Sequence, residues 1–251
     1  MSRIFITGSS TGLGLMAAEL LVEQGHSVVL HARNAARAAA AQRALPQADA
    51  IVTGDVVTIA GAREVAQQAN ALGTFDAVIH NVAVGYREHH QLTADGLPHL
   101  FAINTLAPYI LTALMTRPQR LVYLSSGMHH HVEARLDDIL WQQRRWHASQ
   151  AYAESKLHNA MLAFALARRW PDLYVNALEP GWVPTNMGGA GAPDDMDQAH
   201  RTQAWLATDA CVSGRYFYHL KPLAANPQAH NPALQARLLA ICAEISGIAL
   251  P

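Results

Sequence analysis

The chain has 251 residues, of which 51% are hydrophobic and 15% are charged, and its formal net charge is −1. This length and balance fit one large α/β domain with a substantial core, and they exclude a disordered chain. The near-zero charge predicts no nucleic-acid or anionic-membrane partner, and no apolar run approaches the roughly 20 residues that would span a bilayer.

Short, apolar, β-branched runs recur along the chain and predict strands over residues 3–7, 27–31, 50–53, 75–80, 120–125, 173–178 and 214–219. Helical patterns lie between and after them, over residues 12–24, 35–45, 59–72, 97–115, 149–170 and 234–245. Ser149 is the expected N-cap of the helix over 149–170. This alternation predicts a Rossmann-type, doubly wound parallel sheet of about seven strands with helices on both faces.

No internal repeat and no linker divides the chain, so a single domain over residues 1–251 is expected. The longest irregular stretches are 127–148 and 183–197. The second is rich in glycine, and we expect a substrate loop near 183–200, because loops at the carboxyl edge of a parallel sheet usually shape the ligand site.

A glycine-rich turn lies between the first strand and the first helix, where residues 7–14 read Thr-Gly-Ser-Ser-Thr-Gly-Leu-Gly. A pyrophosphate needs backbone N–H groups, a helix dipole and no Cβ in its way. Gly8 permits a sharp exit from the strand, Gly12 permits close approach of the ligand, and Gly14 permits tight helix packing. With the intervening Ser10, Thr11 and Leu13, they predict a dinucleotide site.

The end of the second strand predicts which dinucleotide binds. An acidic residue there would bind the ribose 2′-hydroxyl of NAD, but the sequence reads Leu-His-Ala-Arg-Asn over residues 30–34. Arg33 is placed to pair with a 2′-phosphate, and His31 is a possible helper. NADP(H) is therefore favoured over NAD(H); the alternative is that Arg33 is a solvated loop charge.

Tyr152 and Lys156 are at positions i and i+4 of a predicted helix and share one face. A nearby ammonium favours the phenolate and is expected to lower the pKa of Tyr152 from about 10. Such a phenol gives a proton to a carbonyl oxygen or takes it back. The pair following the fifth strand of a nucleotide-binding sheet predicts a hydride-transfer enzyme.

With these motifs together, the chain resembles the short-chain dehydrogenase/reductase family from Arg3 to about Gly247. The resemblance implies that Asn104, Ser126, Tyr152 and Lys156 are catalytic, with Ser125 the alternative serine. It also implies dinucleotide contacts from residues after the third, fourth and sixth strands, in addition to Tyr152 and Lys156. These residues are Asp55, Val56, Asn81, Ala83, Pro180, Gly181, Val183 and Thr185.

The segment after the fourth strand departs from the family's Asn-Asn-Ala-Gly and reads His80-Asn81-Val82-Ala83, which affects the fit around the adenine ribose. Other segments, among them residues 125–129 and 213–217, resemble the retinol-dehydrogenase-like branch. That resemblance implies apolar aldehyde, ketone or alcohol substrates. The family also implies a homodimer or homotetramer assembled through the helices that carry Asn104 and Tyr152.

The leading hypothesis is an NADP(H)-dependent oxidoreductase that interconverts an alcohol and a carbonyl compound. Trp182, Met187, Met196 and Trp205 are expected to form an apolar lid, although Trp205 fits the core edge equally well. The alternative is a non-catalytic dinucleotide-sensing protein on the same fold. A sugar-nucleotide epimerase is weaker, because those enzymes are longer and have a larger C-terminal substrate region.

Cysteine and histidine usage completes the sequence-based expectations. Cys211 and Cys242 have no C-x-x-C spacing and are expected to be reduced core residues of a cytoplasmic protein. Because Met1 leads almost directly into the predicted first strand, no cleaved signal peptide is expected. The run His129-His130-His131 is interpreted as a solvated loop, and no metal site is expected.

Overall fold

The computed structural model describes all residues from Met1 to Pro251. One eight-stranded sheet has the order β3-β2-β1-β4-β5-β6-β7-β8. Its strands are β1 Arg3–Ile6, β2 Ser27–Ala32, β3 Ala50–Thr53, β4 Ala77–His80, β5 Arg120–Leu124, β6 Tyr174–Glu179, β7 Tyr216–Tyr218 and β8 Lys221–Leu223. The first seven are parallel and β8 is antiparallel to β7. The order reverses after β1, which creates the crevice where ligands of doubly wound sheets bind.

Nine α-helical segments connect or follow the strands. They are α1 Gly12–Glu23, α2 Ala35–Ala44, α3 Ile59–Ala71, α4 His99–Phe101, α5 Ala107–Leu114, α6 Ala148–Arg169, α7 Met196–Ala199, α8 Arg201–Thr208 and α9 Pro232–Ser246. A π-helical turn, Ala102–Leu106, joins α4 to α5. None of these helices combines the length and the hydropathy that crossing a membrane requires.

The helices cover both faces of the sheet, as predicted. Alternate strand residues supply the two cores: Ile4 and Ile6 face one side and Phe5 the other. Helices α1 and α8 pack on the first side, and α3, α5, α6 and α9 pack on the second. The doubly wound architecture is therefore confirmed, with one strand more than the expected seven.

Several local predictions need correction. Residues 196–200, expected to belong to the substrate loop, include α7, and residues 201–208, for which no element was predicted, form α8. The Asp195 side chain accepts a hydrogen bond from the Asp197 N–H at 2.9 Å at the start of α7. Strand β8 was not predicted, because its Pro222 discourages a strand assignment. Helix α6 begins at Ala148 with His147 as its cap, so Ser149 lies inside the first turn.

The two helices expected to form a family interface are covered by the chain itself. Every residue from Ala151 to Leu166 in α6 is buried, and so is every residue from Ala102 to Thr112. The homodimer or homotetramer expected through these helices stays a prediction. The cysteines differ from each other: Cys242 is buried as expected, whereas Cys211 is exposed just beyond α8.

Candidate active site

The turn between β1 and α1 has the geometry expected of a phosphate-binding loop. Gly8 and Gly12 have φ values of +64° and +61°, which L side chains rarely adopt. A Cβ on Gly8 would lie 2.9 Å from the Val82 Cα, whereas a Cβ on Gly12 would meet no atom within 4 Å. The Thr11 side chain makes no capping hydrogen bond to α1. The open backbone and the uncapped helix start fit a pyrophosphate.

Tyr152 and Lys156 lie one turn apart on α6, and both are buried. The Lys156 Nζ donates a hydrogen bond to the Leu124 carbonyl at 3.0 Å and lies 5.6 Å from the centre of the Tyr152 ring. Burial raises the pKa of Tyr152 to about 12, and the Ser126 hydroxyl acts in the opposite direction. Burial also lowers the pKa of Lys156 to about 7. The expected lowering of the tyrosine pKa is not seen, because desolvation of the phenol is the largest cause of the shift and only the Ser126 hydroxyl opposes it.

The two serines after β5 face different partners. The Ser125 hydroxyl donates to the Lys156 carbonyl at 2.8 Å, which fixes the end of β5 against α6. The Ser126 hydroxyl accepts a hydrogen bond from the Met128 N–H at 3.3 Å. Both line the same cavity, but only Ser126 contributes to the pKa of the Tyr152 phenol.

A cavity of about 680 Å³ joins the glycine turn to these side chains. Leu13 borders it from the turn, and Ser126 and Tyr152 border it from β5 and α6. The segment after β6 supplies a third wall, formed by Pro180, Gly181, Trp182, Val183, Thr185, Met187 and Gly188. The structure therefore brings part of each predicted motif to one space, whose size is typical of a small-molecule site, while Asn104 and Lys156 do not line it.

The sequence matches the short chain dehydrogenase family over residues 2–127. An uncharacterised oxidoreductase of Emericella nidulans is 46% identical over 100% of this chain and 99% of its own length. The chain belongs to the short-chain dehydrogenase family. The family expectation and the oxidoreductase assignment are thus confirmed.

Two further relatives agree with that membership. Human retinol dehydrogenase 13 is 27% identical over 99% of this chain and 85% of its own length, in line with the expected branch. A crystal structure of an uncharacterised protein from Mycobacterium paratuberculosis superposes with a TM-score of 0.86 at 25% identity, covering 100% of this chain and 95% of that one.

Asn104 occupies the π-helical turn of this short-chain dehydrogenase and is fully buried. Its Oδ1 accepts from the Val84 N–H at 2.8 Å, and its Nδ2 donates to the Val84 carbonyl at 3.0 Å and to the Ser155 hydroxyl at 3.1 Å. The side chain therefore clamps the backbone after β4 to α6. Such π turns are frequent at functional sites.

The segment after β4 is tied to the glycine turn by Asn81, whose Nδ2 donates to the carbonyls of Thr7 and Gly8 at 2.9 and 3.0 Å. Ala83 is half-buried two residues later. His80, the departure from the family pattern, points into the core, where its Nε2 lies 2.9 Å from the Thr112 hydroxyl. After β3, the Asp55 side chain is exposed and Val56 is buried.

His31 does not assist a phosphate, contrary to the sequence-based suggestion. It is buried, and its Nδ1 accepts a hydrogen bond from the Gly8 N–H at 3.0 Å. Its Nε2 lies 2.9 Å from the Gly54 carbonyl, so this nitrogen carries the proton. Burial lowers the pKa of His31, which stays neutral and shapes the turn. Arg33 is exposed and makes no ion pair or side-chain hydrogen bond.

Two of the four residues expected to form the apolar lid lie outside the cavity. Trp182 and Met187 line the cavity, and the Met187 Sδ lies 3.9 Å from the Tyr152 hydroxyl. Met196 and Trp205 do not line it, because they belong to α7 and α8. Trp205 packs edge-on against Phe217, with ring centres 5.3 Å apart, which agrees with the core-edge alternative.

Sequence reasoning missed His129. Its ring is completely buried, the Nε2 accepts from the Asn226 N–H at 3.1 Å, and the Nδ1–H donates to the Ser126 carbonyl at 2.7 Å. The solvated-loop interpretation is therefore wrong for this residue. Its hydrogen-bond partner Asn226 lies 97 positions further along the chain, so no local sequence pattern connects the two residues.

Two carboxylates were also missed. Glu179 ends β6 and lines the cavity, as does Asp194 from the following loop. Burial, and then the charge of Asp194, raise the pKa of Glu179 to about 7. Glu179 immediately precedes the predicted Pro180-Gly181 contact, so its position was available in the sequence, but its exposure to the cavity was not.

Proposed function

We propose that this short-chain dehydrogenase is an NADP(H)-dependent oxidoreductase that interconverts an alcohol and an aldehyde or ketone with a largely apolar body. The observation that carries the proposal is the shared cavity, which Leu13 of the glycine turn borders together with Ser126 and Tyr152. The segment containing Pro180, Gly181, Val183 and Thr185 closes the same space and is the proposed wall for the nicotinamide half.

The bound dinucleotide supplies or accepts the hydride. With a pKa raised to about 12, the Tyr152 phenol is protonated at neutral pH and is placed to donate its proton to a carbonyl oxygen. The Ser126 hydroxyl hydrogen-bonds that oxygen as negative charge develops on it. The Lys156 ammonium stabilises the phenolate that remains, because an opposite charge nearby favours the ionised form.

The rest of the site holds these groups in place. Asn104 fixes the backbone at Val84 and the hydroxyl of Ser155 on the catalytic helix. We propose that Asn104 supports the proton relay from this buried position. The backbone of Gly8, Ser10, Thr11, Gly12 and Gly14 is the proposed phosphate cradle, with Asp55, Val56, Asn81 and Ala83 on its adenosine side.

Purified protein with NADPH and a panel of aldehydes and ketones tests the catalytic proposal. We expect the absorbance of the reduced nicotinamide to fall, and Tyr152→Phe to lower the rate by about 10²- to 10⁴-fold with little change in NADPH affinity. Tyr174→Phe is the matched control, because it removes the same hydroxyl from a residue that begins β6 and does not line the cavity. Tight NADPH binding without turnover over the whole panel would favour the dinucleotide-sensing alternative.

The preference for NADP(H) rests on Arg33, an exposed guanidinium without an anionic partner at the end of β2. We expect Arg33→Ala to weaken NADPH binding by about tenfold or more and NADH binding much less, since a phosphate contact by arginine is charge-assisted. Arg37→Ala, which removes an exposed charge one turn into α2, is the control. Equal losses for both dinucleotides would remove the basis for the preference.

A further inference from the structure

The substrate cavity has an acidic end. Glu179 and Asp194 both line it, and no lysine, arginine or histidine does. Neither carboxylate forms an ion pair elsewhere in the chain. A half-buried carboxylate without a cationic partner is unfavourable, so its presence in a ligand cavity needs a reason.

Each carboxylate packs against a glycine, at a position where a side chain on that glycine would clash with the carboxylate. A Cβ on Gly127 would lie 2.5 Å from the Glu179 Oε2, and a Cβ on Gly181 would lie 2.7 Å from the Asp194 Oδ2. The Trp182 N–H donates to this Asp194 oxygen at 2.6 Å. The acidic end is therefore shaped by the backbone around it and is not an accident of two flexible surface side chains.

The same cavity contains the Tyr152 hydroxyl, a buried polar group without a strong hydrogen-bond acceptor. The Tyr152 side chain is only 7% exposed, and the one well-directed contact of its hydroxyl is the Met187 sulfur at 3.9 Å. A thioether is a weak acceptor, so the phenol remains available to a bound molecule. Aromatic rings from Tyr86, Trp182 and Tyr218 also line the space. Faces of this kind attract organic cations.

We propose that Glu179, supported by Asp194, selects carbonyl substrates that carry a protonated nitrogen on an otherwise apolar body. The inference rests on the proposed function, because it assigns the carbonyl end of the substrate to Tyr152 and Ser126. The ammonium end lies against Glu179, and the apolar body lies among the aromatic rings and Met187. A negative cavity end also disfavours carboxylate-bearing substrates of the same shape.

The charge state of Glu179 gives this selection a pH dependence. Burial and the charge of Asp194 together raise its pKa to about 7, and the Gly127 N–H acts in the opposite direction. The facing phenols of Tyr216 and Tyr218 have raised pKa values and stay neutral. The carboxylate is thus ionised above about pH 7 and increasingly protonated below it. Affinity for a cationic substrate should rise as pH goes from about 6 to 8.

A pair of matched ketones tests the selection: 4-(aminomethyl)acetophenone, which is cationic, and its neutral isostere 4-ethylacetophenone. In the wild-type enzyme with NADPH we expect a lower KM for the cationic ketone. Glu179→Gln should raise that KM about tenfold and leave the KM of the neutral ketone within about twofold, because one charge-assisted contact is lost. Glu244→Gln removes an exposed carboxylate on α9 and is the matched control.

Ligand-observed NMR with benzylamine and toluene separates this inference from the proposed function, because it needs no turnover. Preferential binding of benzylamine that Glu179→Gln abolishes supports the inference even if no ketone is reduced. An equal KM change for both ketones would mean that the charge acts on the dinucleotide or on the fold, and would overturn it. Equal binding of benzylamine to wild type and Glu179→Gln would overturn it as well.

Discussion

The glycine-turn region, residues 7–34, and the catalytic wall, residues 125–154, are assembled in different ways. In the first, the Gly8 N–H bonds to the His31 ring only 23 positions away. In the second, the His129 ring bonds to the Asn226 N–H across 97 positions. The centre of the dinucleotide end is one βαβ unit, to which Asn81 adds contacts across 73 and 74 positions, whereas the catalytic wall depends on a contact from the C-terminal part of the chain.

This difference indicates where substitutions should act. A change in the glycine-turn region should alter dinucleotide binding directly. A change in the supports of the catalytic wall should alter turnover and stability while dinucleotide affinity stays nearly constant. The following experiments compare the two regions.

The largest loss of stability is expected on substitution of Arg144, whose side chain joins Asp138 to Glu154 within the catalytic wall. Its Nη1 and Nη2 donate to both oxygens of Glu154 at 2.7 and 2.9 Å, and its Nε donates to Asp138 at 3.2 Å. The Glu154 side chain is only 3% exposed. Arg144→Met leaves that buried charge without its partner and should lower the free energy of unfolding by about 3–5 kcal/mol in urea titrations. Turnover should fall more than NADPH affinity.

A matched control and a rescue follow from the same ion pairs. Arg135→Met removes an arginine from an exposed pair with Glu133 and should cost less than about 1 kcal/mol. The double variant Arg144→Met with Glu154→Met should recover much of the loss, because the buried Glu154 charge is removed together with its partner, and Asp138 keeps its bonds from the backbone N–H groups of residues 142, 143 and 144. Equal destabilisation by the Arg144 and Arg135 variants would contradict this account of the wall.

The corresponding test in the other region is Gly14→Ala. The added Cβ would lie 2.5 Å from the Asn81 Nδ2 and 2.8 Å from the Gly8 carbonyl oxygen, so the turn must shift. We expect a loss of up to about 3 kcal/mol in unfolding free energy and clearly weaker NADPH binding by fluorescence titration.

Gly25→Ala is the control for that variant. Gly25 has a φ of +83°, but a Cβ at this position would meet no atom within 4 Å, and the residue lies beyond the far end of α1. Strain alone should cost about 1–2 kcal/mol and leave NADPH affinity unchanged. If both variants weaken NADPH binding equally, the crowding at Gly14 is not what shapes the dinucleotide end.

A smaller effect on stability is expected at His129. His129→Ala removes the donor to the Ser126 carbonyl and leaves the buried Asn226 N–H without its acceptor. The free energy of unfolding should fall by about 2 kcal/mol. We also expect kcat to fall about tenfold, since a loosened serine no longer meets the substrate oxygen. The exposed His131 supplies the control, and an equal loss of NADPH affinity would count against a role confined to the catalytic wall.

The same contrast explains which features the sequence could predict. The glycine turn, β1, β2 and β3 follow from local periodicity and turn residues, and the structure places them within one or two residues of the prediction. Helices α7 and α8 were missed because the glycine-rich segment before them suggested that the loop continued. Asp195 and the helix-forming residues after it were the available signal.

The environment of each candidate group was much less accessible to prediction. The spacing of Tyr152 and Lys156 places them on one face, but the direction of the tyrosine pKa depends on how much protein surrounds the phenol. His31, at the end of a predicted strand, and His129, in a predicted loop, are polar side chains whose burial becomes evident only when other parts of the chain enclose them. Burial and long-range hydrogen bonds are properties of the assembled sheet, so a local pattern does not contain them.

The smallest change in stability is expected on replacing the N-cap asparagines of two helices. The Asn34 Oδ1 accepts from the Arg37 N–H at 2.9 Å at the start of α2, next to Arg33. Asn231 accepts from the N–H groups of Ala233 and Leu234 at 2.9 and 3.2 Å at the start of α9. Replacing either asparagine by alanine should cost about 1 kcal/mol of unfolding free energy.

Only the first cap borders the proposed 2′-phosphate contact. Asn34→Ala should therefore weaken NADPH binding slightly relative to NADH, by less than about threefold, because the backbone that presents Arg33 becomes less fixed. Asn231→Ala should leave the ratio of the two dissociation constants unchanged. Fluorescence titrations of both variants with both dinucleotides give that ratio. An equal shift in the two variants would mean that dinucleotide preference responds to overall stability and not to the end of β2.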